Sequence, residues 1–269
     1  MPTSKGAVVH SSPQPHSFAT LREATSAAGY FDRVNEVVRM FETALDRIHA
    51  VELLHEATLR MGAEVSVFAS FIRDDNDSCA SSRVLVTCDP RWCIEYEEQD
   101  CYASDPWVKH ALHHTEPIRG CDIALTTQAQ RSVVQLAERY GFRSAVIVPT
   151  PSSDRLSRLG VLCLGSSIPG YFDAEGYLAL KLVARSVAME LHEWWLARLK
   201  DELVARSGIT MQDLVLLNHV RQGHGTKEIA RYLETTEVSV NSRFQRINAR
   251  LEVPSRNAAV RLASEYRLI

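Results

Sequence analysis

Residues 226–251 read TKEIARYLETTEVSVNSRFQRINARL. Two apolar sets in this stretch recur at helical spacing: Ile229, Ala230 and Leu233, then Val240, Phe244, Ile247 and Leu251. Between them Thr235 and Thr236 supply a break and a cap, because a threonine hydroxyl accepts backbone N–H groups that open a helix. Gly223 and Gly225 interrupt the chain upstream, and Thr226 opens the first of the two helices. Two helices joined by a three- to four-residue turn make a helix-turn-helix, whose second helix enters the major groove of DNA. Its exposed face would carry Glu237, Ser239, Asn241, Ser242, Arg243, Gln245 and Arg246. Arg and Asn form paired hydrogen bonds with base edges, and Ser reaches phosphates or bases. A plain four-helix accessory bundle with a solvated polar face fits the same periodicity.

The flanks extend the pattern. Thr210 and Asp213 have the spacing of a capping box, ahead of Leu214, Leu217 and Val220. Pro254 and Ser255 start a fourth helix with Ala259, Val260, Leu262 and Ala263. Residues 209–269 hold 9 Lys+Arg against 6 Asp+Glu, a net of +3, although the whole chain is −3. Such a split suits a nucleic-acid-binding module only in combination with the helix pattern.

The 269 residues allow one or two domains, and 45% hydrophobic with 23% charged residues is ordinary for a globular protein. Residues 1–17 read as a flexible leader without the apolar core of a secretory signal, and no apolar run approaches a membrane span. A cytoplasmic location is expected. The six cysteines, at 79, 88, 93, 101, 121 and 163, form no CxxC and are expected as free thiols, with no metal site. Val34 to Gly62 has the periodicity of one helix, Glu64–Ile72 and Arg83–Cys88 read as strands, and Arg73–Ser78 as a turn. Residues 89–122 show no clear period. A helix over Thr127–Tyr140, strands at Ser144–Val148 and Leu159–Gly165 around a polar loop, and a long helix over Asp173–Leu203 follow. The expected fold has two domains: an N-terminal α/β sandwich with a central antiparallel sheet over residues 18–205, and a C-terminal all-α four-helix domain over 206–269. Nucleotide-binding, P-loop and GxSxG patterns are absent, and no motif supports Cys93 or Cys101 as a nucleophile, so no enzyme is expected.

Residues Ile209-Thr210, Asp213, Leu217, Gly223, Lys227-Glu228-Ile229-Ala230, Leu233, Thr236, Ser239-Val240, Arg250-Leu251-Glu252-Val253, Arg256 and Ala259-Val260 keep the spacing of a known pattern. In this segment the chain resembles the LuxR-type helix-turn-helix, with Asp213, Arg243 and Arg250 as mild departures. Upstream it resembles the autoinducer-binding domain of quorum-sensing regulators of that family, so the likeness covers about residues 30–269. The resemblance implies DNA contacts from Thr226, Lys227, Thr236, Ser239, Asn241, Ser242, Arg243 and Arg246. It implies a ligand, an N-acyl-homoserine lactone, bound by Trp92 at the lactone carbonyl, Asp105 at the amide N–H and Tyr96 at the acyl carbonyl. Cys163 stands where Thr or Ser is common in the family, and Trp107 follows the Asp105-Pro106 pair. Asp105-Pro106 is also a helix start, and both roles require the two carboxylate oxygens to divide the work.

Two positions depart from the family. Gly120 stands where a Trp is usual, and Ala145 where a Gly is usual. The expectation is therefore a regulator that binds a partly palindromic operator as a homodimer under control of a small signal, with no resident cofactor. The alternative keeps the sensor fold as a ligand-independent dimerisation scaffold, or one sensing a non-lactone signal.

Overall fold

The computed structural model describes residues 7–8, 20–72, 82–150 and 158–269. Most of the expected leader, the turn at Arg73–Ser78, Cys79 and the polar loop after Thr150 lie outside them. The chain separates into two compact units, divided after Trp194.

The first unit is built on one sheet. Its strands are β1 (Ala7–Val8), β2 (Val65–Ile72), β3 (Arg83–Val86), β4 (Ile118–Arg119), β5 (Ser144–Thr150) and β6 (Arg158–Ser166). Their spatial order is β1-β3-β2-β6-β5-β4. All neighbours are antiparallel except β1, which pairs parallel with β3 at the edge. The helices are α1 (Leu21–Ser26), α2 (Tyr30–Met40), α3 (Arg47–Arg60), α4 (Arg91–Glu98), α5 (Pro106–His113), α6 (Gln128–Arg139) and α7 (Tyr177–Ser207). The α/β sandwich with an antiparallel sheet is thus present.

Register puts Val86, Val67, Cys163, Ile147 and Ile118 in one row across five strands. These side chains, with Val65, Phe71, Val161 and Ala145, form one apolar face, packed with Trp107, Val108 and Ala111 of α5 and Ala137 of α6. Phe68, Leu85, Val146, Val148, Leu162 and Leu164 alternate with them and are also buried. On that second face the Thr58 hydroxyl of α3 lies 2.6 Å from the Ser66 hydroxyl of β2. His192 of α7 lies there too, its Nδ1 3.1 Å from where a Cβ on Gly160 would stand. With both faces covered, the strands read as continuous apolar runs, as buried strands do.

The single helix expected over Val34–Gly62 is two helices. The chain extends at Ala44, where the carbonyl accepts the Trp194 indole N–H at 3.0 Å, and Asp46 caps α3 by accepting His49 N–H at 2.9 Å. Leu45 and Ile48, which continue the apolar period, are 77% and 58% exposed. The aperiodic stretch 89–122 contains α4, a 3-10 turn at Cys101–Ser104, α5 and β4. Among the described residues no helix is long and apolar enough to cross a membrane.

The second unit contains the end of α7 and four helices: α8 (Met211–Arg221), α9 (Thr226–Tyr232), α10 (Glu237–Leu251) and α11 (Arg256–Glu265). Leu216, Leu217, Ile229, Val240, Phe244, Ile247, Ala259 and Ala263 form its core, joined by Leu203. Thr210 and Asp213 cap each other's backbone as expected, and Thr236 caps α10 by accepting Ser239 N–H at 3.2 Å.

A Cβ on Gly165 of β6 would lie 2.5 Å from Phe142 Cδ1 and 2.9 Å from the Gly141 carbonyl oxygen. Backbone cannot yield as a flexible side-chain tip does. Gly165→Ala is expected to lower stability by about 1–3 kcal/mol, read as a shifted urea midpoint with unchanged slope.

Candidate functional site

Trp92 and Tyr96 stand one turn apart on α4, so they share a face. Both are half-buried, with ring centroids 4.9 Å apart. Asp105 begins α5 with Pro106 at its first helical position. Its Oδ1 accepts the Trp107 N–H at 2.7 Å and the Val108 N–H at 3.2 Å. Its Oδ2 accepts the Tyr96 hydroxyl proton at 2.7 Å. One oxygen therefore caps the helix while the other faces α4.

Asp105 is only 5% exposed. Burial raises its carboxyl above the ordinary 3.8, opposed by the Tyr96 and backbone hydrogen bonds. Cys163, in the middle of the sheet row, is also buried. Burial pushes its thiol well up, and the Asp105 charge adds to that shift. The Trp107 ring lies 5.9 Å from Phe142 and joins the same apolar face as Cys163. Trp92 packs against that face as well, and its indole N–H has no hydrogen-bond partner among the described residues. The structure thus joins Tyr96 to Asp105 directly, and sets Trp92, Trp107 and Cys163 around the same apolar layer. Such a layer, with one open indole donor and one carboxylate edge, suits a mainly apolar molecule with a small polar head.

Gly120 and Ala145 are neighbours. They follow the β4–β5 pairing, and a Cβ on Gly120 would stand 3.3 Å from Ala145 Cβ and 3.8 Å from Ile147 Cδ1. The two departures from the family pattern therefore occupy one place: the methyl at 145 takes space beside the missing side chain at 120. Cys88, Cys93, Cys101, Cys121 and Cys163 are free thiols. Among the described residues, no group of three His, Cys, Asp or Glu side chains is placed to hold a metal ion.

In the second unit, Lys227, Thr236, Asn241, Ser242 and Arg246 are exposed, while Thr226, Ser239 and Arg243 are half-buried. Arg243 donates to Gln212 Oε1 of α8 at 3.3 Å. Arg256, at the start of α11, donates to Thr226 Oγ1 at 2.8 Å and to Asn241 Oδ1. Its guanidinium lies 4.4 Å from the Phe244 ring centroid. Arg256 thus ties both helices of the helix-turn-helix to the core. It belongs to the quoted motif but carries no sequence signal of this bridging role, which depends on a helix packed from beyond the motif's two helices.

A protein-family model described as the autoinducer binding domain matches residues 47–193. The chain belongs to the autoinducer-binding domain family. The match contains Trp92, Tyr96, Asp105, Trp107 and Cys163 and ends before the helix-turn-helix. Over a longer part of the chain, solved structures share the fold. A structure of SdiA in complex with octanoyl-rac-glycerol superposes with a TM-score of 0.64 at 15% identity, covering 89% of this chain and 97% of that one. Escherichia coli SdiA in another crystal gives a TM-score of 0.64 at 17% identity, covering 89% of this chain and 99% of that one. CepR2 from Burkholderia cenocepacia, an N-acylhomoserine lactone dependent LuxR family transcription factor, gives 0.53 at 18% identity, covering 64% of this chain and 99% of that one. No curated protein matches the chain.

The buried Asp105 of this autoinducer-binding domain couples folding to pH. With its folded value raised above 3.8, the folded protein keeps a proton that the unfolded chain has released. Stability from this group therefore falls as pH rises from the unfolded value through the folded one. Asp105→Asn keeps an acceptor for the α5 cap and removes the titration. Urea denaturation across a pH series is expected to show wild type losing stability relative to the variant over that window, and a constant difference above it.

Proposed function

We propose that this chain is a cytoplasmic transcriptional regulator that binds a partly palindromic operator as a homodimer under control of an N-acyl-homoserine lactone. The carrying observation is the Tyr96–Asp105 hydrogen bond in an autoinducer-binding domain, with Trp92 beside Tyr96 and packed against the apolar sheet face. Trp92 donates its open indole N–H to the lactone carbonyl. Asp105 Oδ2 accepts the ligand amide N–H. Tyr96 turns from Asp105 to the acyl carbonyl as the ligand enters, and the acyl chain lies along the face that holds Trp107 and Cys163. Burying the ligand stabilises the folded regulator by mass action.

In the second unit, α10 enters the major groove, with Asn241, Ser242, Arg243 and Arg246 toward bases or phosphates. Lys227, Thr226, Thr236 and Ser239 meet the backbone near the helix ends. Two copies then read half-sites one helical turn apart.

A second reading has its own support. Gly120 and Ala145 occupy each other's neighbourhood, and Tyr96 donates to Asp105 Oδ2 within the chain itself, which favours a sensor fold that needs no lactone. In that reading the domain is a ligand-independent dimerisation scaffold, or it senses a different amphiphile.

Thermal melts of the purified protein against acyl-homoserine lactones of varied chain length, with octanoyl glycerol included, separate the two. A chain-length-dependent rise is expected, worth about 2.7 kcal/mol at hundredfold excess over Kd. Trp92→Phe is expected to weaken it without unfolding the free protein. A folded wild type with a flat response across the panel supports the second reading. For the DNA side, Arg246→Ala and Asn241→Ala are each expected to lower operator affinity by about 1–3 kcal/mol, with a smaller loss on random duplex. Equal losses on both DNAs would assign the residue to phosphate alone.

A further inference from the structure

We propose that Val238 reads a thymine by packing against its C5-methyl group in the major groove; this rests on the DNA-binding reading above. Val238 is the second residue of α10, directly after the Thr236 cap and Glu237, and is 77% exposed. Nothing in the fold of this unit requires valine there. A β-branched side chain loses rotamer freedom in a helix, and this one leaves most of its apolar surface in water. It heads a stripe on the outer face of α10: Asn241 and Ser242 one turn on, then Gln245 and Arg246, all exposed. The stripe is otherwise made of hydrogen-bonding groups.

The major groove offers one apolar feature among its donors and acceptors, the thymine methyl, beside the thymine O4 acceptor. An aliphatic side chain among polar readers fits that feature and none of the other base edges. Asn241 complements it. Arg256 occupies the Asn241 side-chain oxygen, and the amide N–H groups have no partner among the described residues. The amide is thus presented as a donor, the chemistry that O4 or a neighbouring purine N7 accepts. Val238 and Asn241 together select a thymine-containing step in each half-site.

The test uses the full-length protein and a pool of random-sequence DNA duplexes. Sequences enriched by wild type are resynthesised with deoxyuridine replacing each thymine in turn, which removes only the methyl. One thymine per half-site is expected at which wild-type affinity drops on the order of fourfold, the value of one buried methyl-sized group. Val238→Ala and Val238→Ser are expected to bind thymine and uracil duplexes alike at that position, and to lose the thymine from their own enriched sequences. Both variants keep the wild-type melt, since the side chain is exposed. A wild type insensitive to every uracil substitution overturns the proposal. So does a methyl effect that persists in both variants, or a loss of affinity in the variants that is the same on all sequences. Failure of wild type to enrich any sequence would instead overturn the DNA-binding reading on which the proposal stands.

Discussion

The carboxylate of Asp105 is the constraint on which the first unit's candidate site depends. It is buried, so each of its oxygens must be hydrogen-bonded or the charge is costly. Oδ1 takes the first N–H groups of α5 and Oδ2 takes Tyr96 of α4. The same group therefore fixes where α5 begins and how α4 lies against it. Trp92 precedes Tyr96 by one helical turn, and Trp107 follows the cap by two residues.

The sheet supplies the other wall. Its register sets one apolar row, from Val86 to Ile118, beneath the helices, and Cys163 sits at its centre. A one-residue slip would turn this row to the opposite face. The contact of Gly120 with Ala145 belongs to the same geometry, because the pairing of β4 with β5 makes them neighbours although 25 residues separate them in the chain. What reads along the chain as two separate departures from a family is in space a single local change of shape.

In the second unit, Arg256 plays a comparable organising part. Its guanidinium rests on core Phe244 and reaches one residue on each helix of the helix-turn-helix. Asn241 is thereby held as a donor at the exposed face, while Arg243 leans back to Gln212. The exposed face of α10 is narrower than its list of polar residues, and it includes an aliphatic side chain, Val238, that polarity alone does not single out.

The four C-terminal helices were legible from the chain alone because their determinants are local: apolar residues at helical spacing, Thr210, Thr236 and Ser255 at caps, and glycines between. The sandwich was legible for a related reason, since its buried strands are short apolar runs between polar breaks. The split at Ala44 was not, because the apolar period runs on through Leu45 and Ile48, and the partner of the Ala44 carbonyl, Trp194, lies 150 residues away. Helix α4 was hidden in an aperiodic stretch because it buries no residue fully, whereas α5 showed only its start at Asp105-Pro106. By itself the sequence determined the elements, the caps and the residue types available for a ligand and for DNA. Only the tertiary structure decided which of them meet, namely Tyr96 with Asp105, Gly120 with Ala145 and Arg256 with Asn241. Those contacts form between segments that chain spacing does not relate, and burial sets their strength.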